Sequence, residues 1–311
     1  MKSLKASKFI DLFAGIGGFH LAFHQLGLEC VFASEICEDA RKSYIKNFSP
    51  LVSKNFFIES FNKDIYDQDK NTIPNFDILC AGFPCQPFSQ IGYKKGFSES
   101  LEGRGNLFFE IAKILEIKKP TAFFLENVQH LIKHDNGKTL STIKDTIESI
   151  GYSFYYKVVR ASDFNLPQHR PRTFMVGFLG EEESQKMFCF PKPIPLRKTM
   201  SDVFEANCSK EIGYTLRLGG ADSGIDDRRN WDRYLVNGEN TRIEPLHGKR
   251  MQGFSDNFFL SESRTKSMRL LGNSVAVNAV YHVGKYLIDY LDNKEKFVFE
   301  NLFEPMLPKS A

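Results

Sequence analysis

No run of eighteen or more apolar residues occurs in the chain, so the sequence predicts no membrane-spanning helix. No internal repeat or low-complexity stretch stands out, which excludes a solenoid or a disordered array. Six cysteines, at positions 30, 37, 80, 85, 189 and 208, show neither metal-ligand pairing nor a dense framework; reduced thiols in a cytoplasm are the simplest reading, and no metal site is expected. Charge of one sign is scarce as well: 41 Lys and Arg against 38 Asp and Glu leave a net +3, which permits a polyanionic partner without demanding one. The amino terminus, Met1 to Lys8, is basic but reaches Asp11 too soon to read as a signal peptide. What remains, 311 residues of which 42% are hydrophobic and 25% charged, suits a soluble globular protein with one large domain or two smaller ones.

The first half alternates short apolar strands with amphipathic helices. Residues 9–13, 30–33, 76–81, 122–125, 154–159 and 172–178 read as strands, and 107–117 and 138–150 as the clearest helices. Phe19, Ala22, Phe23 and Leu26 fall at helical spacing before Gly27, a natural C-cap. This order predicts an α/β fold, a doubly wound, mostly parallel sheet covered on both faces. The texture changes after about Gly180, where Pro191, Pro193 and Pro195 interrupt regular structure. A smaller, loop-rich second domain is expected over 181–263, following a first domain over 1–180. Residues 264–311 return to the first domain, with Val275, Ala279, Val283 and Leu287 at helical spacing.

Gly15-Ile16-Gly17-Gly18 lies between the first strand and the first helix, where small residues let a nucleotide-type ligand approach the backbone. The third glycine of a dinucleotide fingerprint would fall at His20, which counts against NAD. Glu35, at the end of the second strand, can accept hydrogen bonds from both ribose hydroxyls. A turn built only for packing is the competing reading of the glycines. Asp64, before Ile65, can take an adenine amino group or be a surface aspartate.

Gly82-Phe83-Pro84-Cys85-Gln86-Pro87-Phe88-Ser89 follows the third strand and holds a cysteine between two prolines. A cysteine at a strand's carboxyl end is placed as a nucleophile, acting as thiolate from an unperturbed pKa near ~8.5. Cys80, inside an apolar run, reads as a small buried hydrophobe. Glu126 follows the apolar run 122–125, where apolar neighbours raise a carboxyl pKa and make it a proton donor. Gln168-His169-Arg170-Pro171-Arg172 brings two guanidiniums to the mouth of another strand. Either can orient a carbonyl or phosphate, and one of the two is expected to be a surface charge.

Together these blocks resemble the bacterial-type DNA (cytosine-5)-methyltransferase family, in the family's usual order and over nearly all of the chain. The order runs from Phe9–Gly18 through Glu35, Asp64-Ile65, Gly82–Ser89, Arg104-Gly105-Asn106 and Glu126-Asn127-Val128 to Gln168–Arg172, and closes with Arg269-Leu270-Leu271-Gly272-Asn273-Ser274. The resemblance implies that Cys85 attacks carbon 6 of cytosine, Glu126 binds and protonates ring nitrogen 3, and Arg172, with Arg170 beside it, steadies the base. It implies S-adenosylmethionine as methyl donor, on Phe13, Glu35, Asp64, Leu107 and Asn273, with Ala14, Gly15, Gly17, Gly18, Ile36, Ile65, Pro84 and Ser274 around them. Double-stranded DNA is the implied partner and a separately encoded restriction endonuclease a further one, for a monomeric enzyme. Ser89, Gln90 and Arg104 are expected on the DNA side.

One block departs from the family pattern: Arg242-Ile243-Glu244-Pro245-Leu246-His247-Gly248 stands where an Arg-x-Leu-Thr-Pro-x-Glu run is usual, which bears on docking of the recognition domain. From Arg217 to Arg269 ten Lys or Arg face eight Asp or Glu, so arrangement says more than charge. Thr215 and Arg217 resemble the family's loop near the target bases. Arg228, Arg229 and Arg233 surround Asn230 and the only tryptophan, a set able to read base edges or to form an Arg–Asp salt-bridged loop. A tRNA-acting relative is the nearest rival, but the Cys-Phe-Thr tripeptide usual in its recognition region is absent here. A catalytically silent DNA-binding relative is the rival from another class; intact Cys85, Glu126 and Arg172 argue against it.

Overall fold

Long apolar runs at 78–82 and 122–125 need cover on both faces, and the computed structural model supplies it. Residues 7–84, 107–181, 187–217, 223–227 and 229–292 are described. Among them, β1 (Lys8–Leu12), α1 (Gly18–Gln25), β2 (Glu29–Ser34), α2 (Glu38–Phe48), β3 (Phe61–Asn62) and β4 (Ile78–Gly82) come first. Then follow α3 (Leu107–Lys118), β5 (Ala122–Val128), α4 (Lys138–Ser149), β6 (Tyr155–Val159) and β7 (Arg172–Phe178). The seven strands pair in the order β3-β2-β1-β4-β5-β7-β6. Neighbours from β3 through β5 are parallel, whereas β7 runs antiparallel to both β5 and β6.

Alternation along each strand sends side chains to two apolar bodies. Phe9 and Phe124 join Phe23 and Tyr44 on one face, under α1 and α2. Ile10, Leu79 and Phe123 join Ile111 and Ile143 on the other, under α3 and α4. Phe124 is fully buried, and its truncation to alanine would cost about 3–5 kcal/mol. β6 is an edge strand, which is why Tyr156 is exposed there.

The remaining elements are α5 (Met200–Phe204), the hairpin β8 (Arg233–Val236) and β9 (Glu239–Arg242), α6 (Pro245–Gln252), α7 (Arg264–Asn273) and α8 (Val277–Asp292). α8 buries Val280, Val283 and Leu287 and packs against α1. Gly284 allows that approach, since a Cβ there would lie 3.1 Å from the Phe23 ring. Met200, Trp231, Tyr234, Ile243 and Met251 belong to the same apolar body as α1 and α8.

Four features differ from the sequence expectations or add to them. β3, with two residues, is too short to leave a periodic signal. β5 extends to Val128, so Glu126 lies inside the strand rather than at its end. The reversed direction of β7 is invisible in its own apolar run. At the divergent 242–248 block, aligned on its proline, Glu244 and His247 stand where Thr and Glu are usual. α6 still begins there with Pro245 in its first turn, and the Glu244 amide donates to His247 Nδ1 at 2.9 Å.

Candidate active site

Strand order reverses between β1 and β4, and open sheets bind ligands in the crevice at such a switch point. A cleft of 620 Å³ opens at this carboxyl edge. Each strand from β1 to β5 delivers a residue within two positions of its carboxyl end: Phe13, Glu35, Asp64, Pro84 and Glu126 line the cleft. Because β7 is antiparallel, its first residue reaches the same edge, and Arg172 lies opposite Val128.

At one end Phe13 takes a left-handed conformation (φ 54°) and leads into the glycine turn. Gly15 N donates to Glu35 Oε2 and Cys37 N to Glu35 Oε1, each at 2.7 Å. Burial raises the Glu35 pKa, and the hydrogen bonds from Cys37 and Gly15 oppose that rise. Ile36 is 57% exposed on the cleft lip, and Ile65, Leu107 and Asn273 complete this end. Asp64 also lines the cleft, its Oδ1 accepting from Tyr66 N at 3.1 Å. Ala14, Gly17, Gly18 and Ser274 stand behind the cleft wall. A Cβ on Gly17 (φ 89°) would come within 2.2 Å of the Phe48 ring, and one on Gly18 within 2.5 Å of Val275. The two readings of the glycine turn therefore divide: Gly15 faces the cleft, while Gly17 and Gly18 serve packing. His20 is buried, stacks on Phe48 with ring centroids 4.1 Å apart, and pairs with the Tyr44 hydroxyl at 2.5 Å. Burial pushes its pKa down to about 3, so it is a neutral core histidine.

At the other end Glu126 is 8% exposed, and Arg172 Nε lies 3.0 Å from its Oε1. Burial raises the Glu126 pKa; the charges of Arg172 and then Arg170 pull it back. Neither guanidinium is a surface charge, which corrects the expectation that one would be. Arg170 is 2% exposed and donates to the carbonyls of Leu216 (3.1 Å), Gly272 (2.9 Å) and Ser274. It ties the segment before β7 to the end of α7. Gln168 works alongside it, donating to Met251 O at 3.1 Å and accepting from Leu216 N at 2.9 Å.

Asn127 went unassigned in the sequence, although it stands in the Glu-Asn-Val block. Its Nδ2 donates to the Phe83 carbonyl at 2.9 Å, in a buried contact that holds the chain leaving β4 against β5. Cys85, Ser89, Gln90, Arg104 and Arg228 lie outside the described residues.

On the expected DNA side the guanidiniums of Arg217 and Arg229 are engaged locally. Arg229 pairs with Asp227 at 2.8 Å, and its carbonyl accepts from Arg217 Nη2 at 2.6 Å. Asn230 is buried and bonded to Arg233 O and N, so its amide is used by its own loop, and Trp231 is core. Asp232, buried beneath them, takes Arg242 at 2.8 Å. Thr215 and Arg233 are half-buried.

The fold is an α/β sheet with a switch-point cleft that holds a fixed acceptor carboxylate at one end and a buried carboxyl–guanidinium pair at the other. The sequence profile of C-5 cytosine-specific DNA methylases matches residues 7–220 and 220–289. Type II methyltransferase M.DsaV of Dactylococcopsis salina is 35% identical over 94% of this chain and 89% of its own. M.HhaI of Haemophilus parahaemolyticus is 35% identical over 91% of this chain and 94% of its own. Among solved structures, Spodoptera frugiperda DNMT2 superposes with a TM-score of 0.69 at 19% identity, covering 91% of this chain and 99% of that one. A putative DNA modification methyltransferase from an Escherichia coli prophage does so with 0.66 at 19%, covering 92% and 99%. The chain belongs to the C-5 cytosine-specific DNA methylase family. It is a DNA (cytosine-5)-methyltransferase.

Proposed function

We propose that the enzyme transfers the methyl group of S-adenosylmethionine to carbon 5 of a cytosine turned out of a short duplex sequence, as the modifying half of a restriction-modification system. One observation carries the reading: a single cleft holds both Glu35, an acceptor fixed by two amides, and Glu126, a buried acid on Arg172. The residues present fit the donor. Each Glu35 oxygen accepts one amide and keeps a lone pair for a ribose hydroxyl. Ile36, Ile65 and Leu107 offer apolar surface to a flat base, Asp64 an acceptor for its amino group, and Phe13, Gly15, Pro84 and Asn273 the remaining walls. The cleft volume of 620 Å³ lies within the usual range of small-molecule sites.

When bound, the donor supplies an electrophilic sulfonium methyl group. The chain's own residues must make carbon 5 of cytosine nucleophilic. The Cys85 thiolate forms a bond to carbon 6 while Glu126 delivers a proton to ring nitrogen 3, so the electron pair of the 5,6 double bond becomes available at carbon 5. Carbon 5 takes the methyl group, which leaves the donor's sulfur as a neutral thioether. Carbon 5 then loses its proton to a base, the 5,6 double bond re-forms as the bond to Cys85 breaks and the thiolate leaves, and nitrogen 3 returns its proton to Glu126. Arg172 orients Glu126, and Arg170 holds the backbone from which Arg172 extends. The target atom is out of reach in a stacked duplex, so the base must leave the helix.

Residues 1–180 with 264–311 form the catalytic part in this reading, and 181–263 the part that holds and reads the duplex, where Thr215, Arg217, Arg228, Arg229 and Arg233 face DNA and at least one of the arginines reads a base. Ser89, Gln90 and Arg104 act on the DNA side of the nucleophile. A cytoplasmic monomer with a separately encoded endonuclease completes it. The relatives support this context, since M.DsaV and M.HhaI are type II methyltransferases. The test is methyl transfer to duplex DNA by Cys85→Ser and by Cys189→Ser, whose thiol is exposed. Cys85→Ser should lose activity by at least ~10³-fold while keeping DNA binding, and Cys189→Ser should keep both. Wild-type turnover by Cys85→Ser overturns the mechanism.

A further inference from the structure

A buried ion pair joins the segment after β3 to α3 behind the cleft, and no step above uses it. Lys70 is 9% exposed and Glu110 3%. Lys70 Nζ lies 2.7 Å from Glu110 Oε2 and donates to the Ile65 carbonyl at 2.6 Å. The other Glu110 oxygen accepts from Lys113 Nζ at 2.8 Å. The ammonium therefore joins two separate walls. Ile65 opens the 3₁₀ turn Ile65–Asp67 just after Asp64, while Glu110 sits one turn along α3 from Leu107. Asp64, Ile65 and Leu107 all line the cleft.

Burying a lysine and a glutamate is a weak route to stability, because desolvation offsets most of their attraction. What such a pair does supply is a defined distance, since a hydrogen-bonded ammonium holds its partners within a few tenths of an ångström. That distance matters for a flat ring between two apolar walls. A gap widened by 0.5–1 Å forfeits roughly a quarter to a half of the dispersion contact on that side.

We propose that the Lys70–Glu110 pair is a positioning device that sets the spacing between Asp64–Ile65 and Leu107, and so the width of the slot that takes the purine of the methyl donor. It rests on the reading of the donor as S-adenosylmethionine. Lys70 touches no reacting atom; it acts through Ile65 and Glu110.

The test compares wild type, Lys70→Met and Glu110→Gln in the full chain, by calorimetric titration with S-adenosylmethionine and S-adenosylhomocysteine and by steady-state kinetics. Lys70→Met keeps the length of the stem and leaves Glu110 paired with Lys113, and circular dichroism with a thermal melt checks that each variant is folded at the assay temperature. It should weaken both ligands by about tenfold and raise the KM for the donor equally, with kcat at saturating donor within about twofold of wild type. DNA affinity should not move. Glu110→Gln, which keeps the size and removes the charge, should shift donor binding in the same direction by less. Wild-type donor affinity in either variant overturns the proposal. A parallel fall in kcat, DNA affinity and donor affinity also overturns it, because that pattern is general loosening. If wild type binds neither ligand, the donor assignment has failed first, which separates the two outcomes.

Discussion

The cleft holds two buried carboxylates, and their partners set them apart. Burial pushes both Glu35 and Glu126 upward. Glu35 is held first by neutral donors, the amides of Gly15 and Cys37, which fix its oxygens, and the charge of Arg41 acts on it less than those hydrogen bonds do. Glu126 is held by the guanidinium of Arg172, with Arg170 close behind. An amide pair makes a rigid acceptor, suited to hydroxyl recognition. At a buried carboxyl beside a cation desolvation and charge act in opposite directions, and at Glu126 desolvation is the larger, so its pKa is raised. In the proposed reading the same residue type serves binding at one end and proton transfer at the other, and the neighbours set the two apart.

The largest effect that could break this comparison is at Glu126. Glu126→Gln should lower turnover by about 10²–10⁴-fold with donor binding intact. The pH dependence has a definite sign. A raised pKa keeps the Glu126 proton in place to higher pH than in an exposed glutamate, so its contribution is full below that pKa and lost as pH rises through it. The alkaline limb of the rate profile should vanish in Glu126→Gln. In Arg172→Ala the same limb should move up, because the cation that lowers the pKa is gone. An unchanged limb in both variants would remove Glu126 as the proton donor.

Glu35→Ala should have a smaller and different effect. Donor binding should weaken by about 1–3 kcal/mol, while kcat at saturating donor and DNA affinity stay near wild type. Isothermal titration in the absence of DNA decides it. If Glu35→Ala impairs turnover and leaves donor binding alone, the two carboxylates do not divide their work this way.

The smallest effect is expected at Arg229, which is not among the residues lining the cleft. Its ion pair with Asp227 is exposed, so Arg229→Ala should lower DNA affinity by at most about fivefold, equally on the cognate site and its single-base variants. A loss confined to one base position would instead make Arg229 a base reader.

Much of the site could be read from residue type and order. Glu35 stands out because it follows an apolar strand and a glycine turn. Glu126 does so because it interrupts a run that must be buried. The roles of Arg170 and Gln168 were hidden, since their partners lie 46 to 104 residues away, at Leu216, Met251, Gly272 and Ser274. Asn127 was hidden because the Phe83 carbonyl it holds is a backbone atom, which no sequence pattern marks.

Local order, composition and periodicity were enough to determine the α/β class, five of the mixed sheet's seven strands within about two residues, and the family's motif order, because apolar alternation and turn chemistry act between near neighbours. Tertiary structure alone decided the antiparallel direction of β7, which brings Arg172 to the carboxyl edge, and the pairing of Glu126 with it. It also decided which glycines face ligand and which face Phe48 or Val275. Those outcomes depend on distances between residues remote in the chain, and burial and charge act through distance.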